Sequence, residues 1–149
     1  MNNIFEEKDT NEILNRLNKL SVSSQPKWGK MDVAQMLAHC SSFQDIAMGT
    51  SIAKRSYLGL IVGRFAKPVF YNDKPLPQNM STIPEILITD KKIFETEKEK
   101  LQHKLIDFQK NGSELCENLI HPFFGKLTAE QWGKGIYKHL DHHLKQFGV

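Results

Sequence analysis

The sequence has few cysteines and no long apolar run, and these absences exclude several classes of protein. Only two of the 149 residues are cysteines, Cys40 and Cys116, and they form no CxxC pair or other metal-ligand spacing. We therefore expect neither a disulfide framework nor a cysteine-based zinc site. The longest apolar run, residues 58–62, is far shorter than the roughly 20 residues that a membrane-spanning helix needs.

Signal-peptide features and concentrated charge are also missing. The first residues lack the charged and apolar regions of a signal peptide, so we expect a cytoplasmic protein. The net charge is +3, which is weak evidence for a polyanionic partner. One group of lysines and arginines comes closest to a basic patch. We interpret it as a solvated helix face rather than a site for an anionic cosubstrate or a membrane. We therefore expect no nucleic-acid or membrane partner. That patch consists of Lys54, Arg55, Arg64, Lys67 and Lys74.

No convincing alternation of apolar and polar residues marks a strand, whereas helical spacing recurs along the chain. It predicts an all-α fold, a four-helix bundle in a single domain of residues 1–149. A short extra helix over residues 52–70, ending near Pro68, and an irregular loop over residues 72–84 separate helices 2 and 3. The four long helices are expected over residues 4–20, 31–48, 89–109 and 128–147.

Local signals support the ends of these helices. Asp32 is a plausible N-cap or first-turn acid for the second helix. The Asn111–Gly112 pair is expected to close the third helix. Thr128 and Gln131 have the spacing of a capping box at the start of the last helix.

Histidines provide the main chemical signal. His139 and His143 are four residues apart in the last helix, so they share one face and can hold one metal ion between them. The same face continues through apolar residues, which turns the pair towards the interior. A metal site needs a third ligand, and His39 is the best candidate, because it lies among apolar positions in the middle of the second helix. His142 is interpreted as a surface residue or as a residue that supports the ligands.

A different interpretation of these histidines stays open. A single histidine on an apolar face is often a core residue that hydrogen-bonds a nearby group, and histidine pairs at this spacing also occur by chance. The motif is not HExxH, because residue 140 is leucine, so a zinc peptidase of that type is not indicated.

Three stretches of the sequence resemble the DinB/YfiT-like superfamily of metalloproteins. One is WGKMDVAQMLAH, residues 28–39, and another is HLDHHLKQ, residues 139–146. Between them, HPFFGKLT at residues 121–128, followed by Glu130–Gln131–Trp132, is similar to a branch described as a domain of unknown function. The resemblance implies a four-helix bundle that binds one divalent metal ion, nickel, zinc or iron, through His39, His139 and His143. It also implies, for some members, reactions that use low-molecular-weight thiols.

Two further residues are candidates for contact with a substrate. Gln35 lies one turn before His39 on the same face. His121 precedes a proline in a turn, where it either lines the mouth of the site or simply packs beside Phe123 and Phe124, the favoured interpretation.

Three functions therefore remain open, and no general base can be assigned. The first is a metal-dependent enzyme, a thiol transferase or hydrolase that acts on a small molecule. The second is a non-catalytic bundle that binds a metal or a small ligand. The third is a structural module whose histidines meet no metal. A homodimer is compatible with each, although no interface can be located.

Overall fold

The protein is mainly helical, as the spacing of its apolar residues predicts. The computed structural model describes residues 1–116 and 118–149, and the side chain of Val69 lies outside the description. Helices make up 56% of the chain. Among the described residues, no helix has both the length and the hydropathy that crossing a bilayer requires.

Five α-helices follow one another along the described chain: α1 (Glu7–Asn18), α2 (Val33–Ala47), α3 (Tyr57–Phe70), α4 (Phe94–Leu115) and α5 (Ala129–Gln146). A 3₁₀ turn, Pro84–Ile86, lies between α3 and α4. Two strands of two residues each, β1 (Ile120–His121) and β2 (Gly125–Lys126), form an antiparallel ladder before α5. The sequence predicted only a turn in this stretch, because two-residue strands are too short to show alternation.

Capping boxes begin the two helices that carry the histidines. The Asp32 side chain accepts a hydrogen bond from the backbone N–H of Gln35, and the Gln35 side chain accepts one from the N–H of Asp32. Thr128 and Gln131 form the same reciprocal pair at the start of α5. Each box satisfies two backbone donors that the first helical turn would otherwise leave unpaired. Both predicted helix starts are confirmed.

The predicted end of α4 is wrong. The helix begins at Phe94 and continues through Asn111–Gly112 to Leu115. A Cβ atom at Gly112 would lie 2.4 Å from the ring of Phe108, so this glycine makes room for a core ring instead of terminating the helix. Packing therefore overrides the Asn–Gly stop signal at this position.

Helix α3 begins at Tyr57, within the expected range of residues 52–70, and it includes Pro68 and ends at Phe70, close to the predicted end. Its glycine face packs on the hairpin formed by β1 and β2. Cβ atoms at Gly59 and Gly63 would lie 2.5 Å and 2.3 Å from the carbonyl oxygen of Phe123. The absence of these side chains is what allows helix and hairpin to approach so closely.

The core lies where α2 packs on α4 and α5, and where α1 packs on the same two helices. Burying each of its large apolar side chains stabilises the folded state by about 1.5–3 kcal/mol. Because α2 and α5 face each other, the middle of α2 comes to lie opposite the second half of α5. The largest fully buried side chains are Trp132, Phe108, Ile4, Ile13, Leu17, Met36, Leu37, Leu101, Leu105, Leu127, Ile136 and Leu140.

Candidate metal centre

His39 projects from the middle of α2 into the interior, where only 4% of it is exposed. Its Nδ1 lies 2.8 Å from the carbonyl oxygen of Ile86 in the 3₁₀ turn. A carbonyl oxygen can only accept, so Nδ1 carries the hydrogen and Nε2 keeps its lone pair. Burial lowers the pKa of His39, with a smaller effect from nearby His142, which keeps the ring neutral.

His143 is oriented by a chain of two hydrogen bonds. Its Nδ1 lies 2.8 Å from Oε1 of Gln146, and Nε2 of Gln146 donates to the carbonyl oxygen of Trp28 at 2.7 Å. Because the amide nitrogen is engaged by Trp28, the amide oxygen faces the imidazole and Nδ1 of His143 is the donor. Nε2 of His143 is therefore free to bind a cation. Burial lowers the pKa of His143 to about 3, and His39 contributes to this shift.

His139 completes a compact group with these two residues. Its Nε2 lies 3.0 Å from Nε2 of His39, and the ligand atoms of all three histidines lie within 4.8 Å of one another. Two ligands at about 2.0–2.1 Å from a tetrahedral metal are roughly 3.3 Å apart. The three histidines therefore lie close enough together to hold one metal ion.

The group consists of neutral nitrogen donors. Burial, followed by the proximity of His143 and His39, holds the pKa of His139 well below its usual range. His139 is only partly buried, whereas the other two residues are buried. Among the described residues, the group includes no carboxylate and no thiolate. Imidazole donors suit zinc, iron and nickel.

Two neighbours border the group without joining it. The ring of Phe43 lies 4.6 Å from that of His139 and provides an apolar wall. The ring of His142 lies 5.7 Å from that of Trp28 and 5.1 Å from that of His143, and a role in supporting the ligands stays a prediction.

His121 lies in the hairpin, outside the histidine group. Its Nδ1 accepts hydrogen bonds of 3.1 Å from the backbone N–H groups of Phe123 and Phe124. Its ring packs 5.1 Å from Trp132 and 6.0 Å from Phe43. These contacts are those of a residue that organises a turn, and contact with a substrate stays a prediction.

Gln35 lies at the start of α2, and both ends of its amide have partners. Its oxygen accepts from Asp32, and its nitrogen donates to the carbonyl oxygen of Asp90 at 3.2 Å. The Gln35 side chain thus caps α2 and binds the segment before α4. A role in substrate binding stays a prediction that would require these bonds to open.

Asp141 and Cys40, which are close to the ligands in the sequence, lie outside the group. Asp141 pairs with Arg16 at 2.9 Å and with Lys145 at 2.8 Å, both through its carboxylate. The Cys40 thiol is buried beside the sulfur of Met36 at 3.8 Å, and burial raises its pKa. A buried neutral thiol of this kind is inert.

Sequence reasoning missed the groups that orient the ligands. Gln146 is three residues after His143, a spacing that places both on one helical face, and this signal was present in the sequence. The Ile86 carbonyl and the Trp28 carbonyl carry no such signal, because they approach from elements distant in the chain.

A family model described as "Protein of unknown function (DUF1569)" matches residues 4–148. No curated protein and no solved structure matches the chain. The match includes the three histidines, the hairpin and Gln146, and it extends over nearly the whole sequence. The chain therefore belongs to the DUF1569 family, a family whose description assigns no activity.

Proposed function

We propose that this protein binds one divalent metal ion through His39, His139 and His143 and uses it to act on a small molecule. The observation that carries the proposal is the approach of three imidazoles from two helices, with their ligand atoms within 4.8 Å of one another. A hydrogen bond joins His39 to His139, whereas a shared ion would account for the approach of all three rings.

The orientation of the ligands supports the proposal. Metal-binding histidines characteristically donate their other ring N–H to a carbonyl, carboxylate or amide oxygen, which fixes the tautomer. His39 does so to Ile86, and His143 does so to Gln146. In both rings Nε2 is thereby available to the ion. Without metal, the Nε2–H of His139 donates to His39; on metal binding the neutral His139 ring would carry its proton on Nδ1 instead, so that its Nε2 could face the ion.

Nickel, zinc and iron all accept a donor set of three imidazoles. All three ligands are neutral, so the +2 charge of the ion would be left uncompensated by the protein. A fourth, anionic ligand such as hydroxide, a thiolate or a carboxylate would be favoured at the partly open side near His139. Such an ion supplies Lewis acidity, lowering the pKa of a bound water or thiol. The Phe43 ring would keep that position partly dry.

We further infer that the fold is a DinB/YfiT-like four-helix bundle formed by α1, α2, α4 and α5, with α3 as the extra helix. The sequence resemblance and the packing of these four helices on one another support this inference. The reactions of some proteins in that superfamily make a low-molecular-weight thiol a reasonable first cosubstrate to test, in a metal-dependent transferase or hydrolase.

A second candidate is a non-catalytic protein that binds a metal or a small ligand. It is favoured by the lack of an evident general base, since the histidine group in the described part of the chain includes no carboxylate. Among the titratable neighbours, His142 is the best candidate for a general base, but its ring already packs against Trp28 and His143.

Elemental analysis of protein purified without a histidine tag tests the proposal. We expect about one equivalent of nickel, zinc or iron, and its loss in the His39→Ala and His139→Ala variants. His103→Ala is the matched control, because His103 is exposed on α4 and outside the group. No bound metal after reconstitution with each ion, in a folded protein, would contradict the proposal.

A fourth coordination position separates the two candidate functions. An enzyme requires an exchangeable ligand, so azide or a small thiol should perturb the spectrum of a cobalt-substituted protein. A spectrum that no added ligand changes would favour the non-catalytic alternative.

A further inference from the structure

Helix α3 exposes an apolar face that no other part of the described chain covers. Five large side chains along it are between 59% and 86% exposed. Exposed apolar residues are common singly, but a contiguous row along one helix marks a surface that binds something. The row consists of Tyr57, Leu58, Leu60, Ile61 and Phe65.

The packing of α3 explains why this face points outward. Gly59 and Gly63 lie on the opposite side of the helix and press against the backbone of Phe123 in the hairpin. With 3.6 residues per turn, that contact turns the apolar row away from the rest of the protein. The row is therefore a consequence of how the helix is anchored.

The charge of the same segment is strongly one-sided. Residues 46–72 contain four lysines and arginines and no aspartate or glutamate. The whole chain has a net charge of +3, so the remainder carries a net charge of −1. Within the described residues none of the four cations forms an ion pair. Arg55 and Lys67 donate to backbone carbonyls of the hairpin, on the anchored side of α3, whereas Lys54 is exposed and Arg64 lies over the Phe65 ring at 4.6 Å.

We propose that α3 binds the surface of a bilayer that contains anionic phospholipid. A helix with an exposed apolar face and flanking cations lies in the plane of the headgroups, with its apolar side chains inserted and its cations near the phosphates. The sequence alone favoured a solvated face for these cations. The exposed apolar row beside them is the additional observation, and this inference is independent of the proposed metal site.

The charge of the segment favours an anionic lipid surface over a second copy of the chain as the binding partner of α3. A symmetric contact through α3 would bring two segments of +4 together with no carboxylate from either segment to offset them. Like charges at close range oppose association. An anionic lipid surface offsets the charge of the segment and buries its apolar row in one step.

Sedimentation with vesicles tests the proposal on the full chain. We expect the protein to sediment with vesicles of mixed phosphatidylcholine and phosphatidylglycerol, to bind pure phosphatidylcholine much less, and to dissociate as salt is raised. Phe65→Ser should weaken partitioning by about tenfold through lost apolar burial. Arg64→Glu should weaken it by at least about fivefold at low salt.

Matched controls separate insertion of α3 from general stickiness. Val22→Ser removes an apolar side chain of comparable exposure from a loop, and Lys110→Glu reverses an exposed charge on α4; neither should change partitioning. Binding to no vesicle of either composition would overturn the proposal. So would concentration-dependent dimerisation that Phe65→Ser abolishes, or binding to an acidic polypeptide without binding to vesicles.

Discussion

Replacing Gln146 by leucine isolates the role of the hydrogen bonds that orient His143. The side chain is only 3% exposed, and its amide links Nδ1 of His143 to the carbonyl oxygen of Trp28. Leucine has a similar volume but no polar atoms. The variant therefore keeps the packing of α5 while it frees the His143 ring and leaves the Trp28 carbonyl without its partner.

Two effects of different size are expected. An unpaired buried carbonyl and the lost hydrogen bonds destabilise the metal-free protein by about 1–3 kcal/mol. Loss of a group that orients a metal ligand weakens metal affinity by about 10–100-fold, which corresponds to roughly 1.4–2.7 kcal/mol. The second effect is specific to a metal site and does not follow from destabilisation alone.

Competition with a chromogenic chelator measures the affinity, and urea unfolding measures the stability. The Gln109→Leu variant is the control, since the Gln109 amide also donates to a backbone carbonyl, that of Phe5, but far along α4 from the histidines. It should lose stability without losing metal affinity. If Gln146→Leu bound zinc as tightly as the unsubstituted protein, the assigned orientation of His143, or its role as a ligand, would be refuted.

Three further substitutions test other parts of the structure. Gly29→Ala places a Cβ at a residue whose φ is +83° and only 2.5 Å from Nε2 of Gln146. We expect it to destabilise the fold by about 1–3 kcal/mol, measured by thermal unfolding, and to weaken metal binding, measured by titration. Gly63→Ala would press on the Phe123 carbonyl oxygen and should cost about 1–3 kcal/mol in urea unfolding, whereas an unchanged midpoint would contradict the packing of α3 on the hairpin. Burial, and to a smaller extent the nearby charge of Arg55, lowers the pKa of His121 from 6.5 to about 3. Between these pH values the unfolded chain binds a proton at His121 and the folded chain does not, so the free energy of unfolding decreases as the pH falls from 6.5 towards 3. His121→Leu should therefore reduce the slope of stability against pH in that window by up to about 1.4 kcal/mol per pH unit, and an unchanged slope in urea titrations would contradict this.

The sequence predicted the helices well because their periodic faces depend on local spacing. The capping residues Asp32 and Thr128 begin α2 and α5 as expected, and the apolar residues of α2 are buried apart from Phe43, which is partly buried. The ends of α3 and α4 were harder to predict from local spacing. Pro68 and Gly112 both lie inside helices, and at Gly112 the packing of the Phe108 ring outweighs the local preference to end one.

The histidine group, too, could be predicted from the sequence only in part. The spacing of His139 and His143 within one helix placed them on one face, and the apolar neighbours of His39 indicated that it points inward. That the three converge depends on how α2 meets α5, which the helical pattern alone does not determine. The Ile86 carbonyl that orients His39 lies 47 residues away in the chain, so only the folded structure identifies it.

X-ray absorption at the metal edge of the untagged protein tests the central claim most directly. With zinc bound, we expect a first shell that contains three imidazole nitrogens at about 2.0–2.1 Å, together with one light-atom ligand. A shell dominated by sulfur at about 2.3 Å, or one without histidine scattering, would contradict a site formed by His39, His139 and His143.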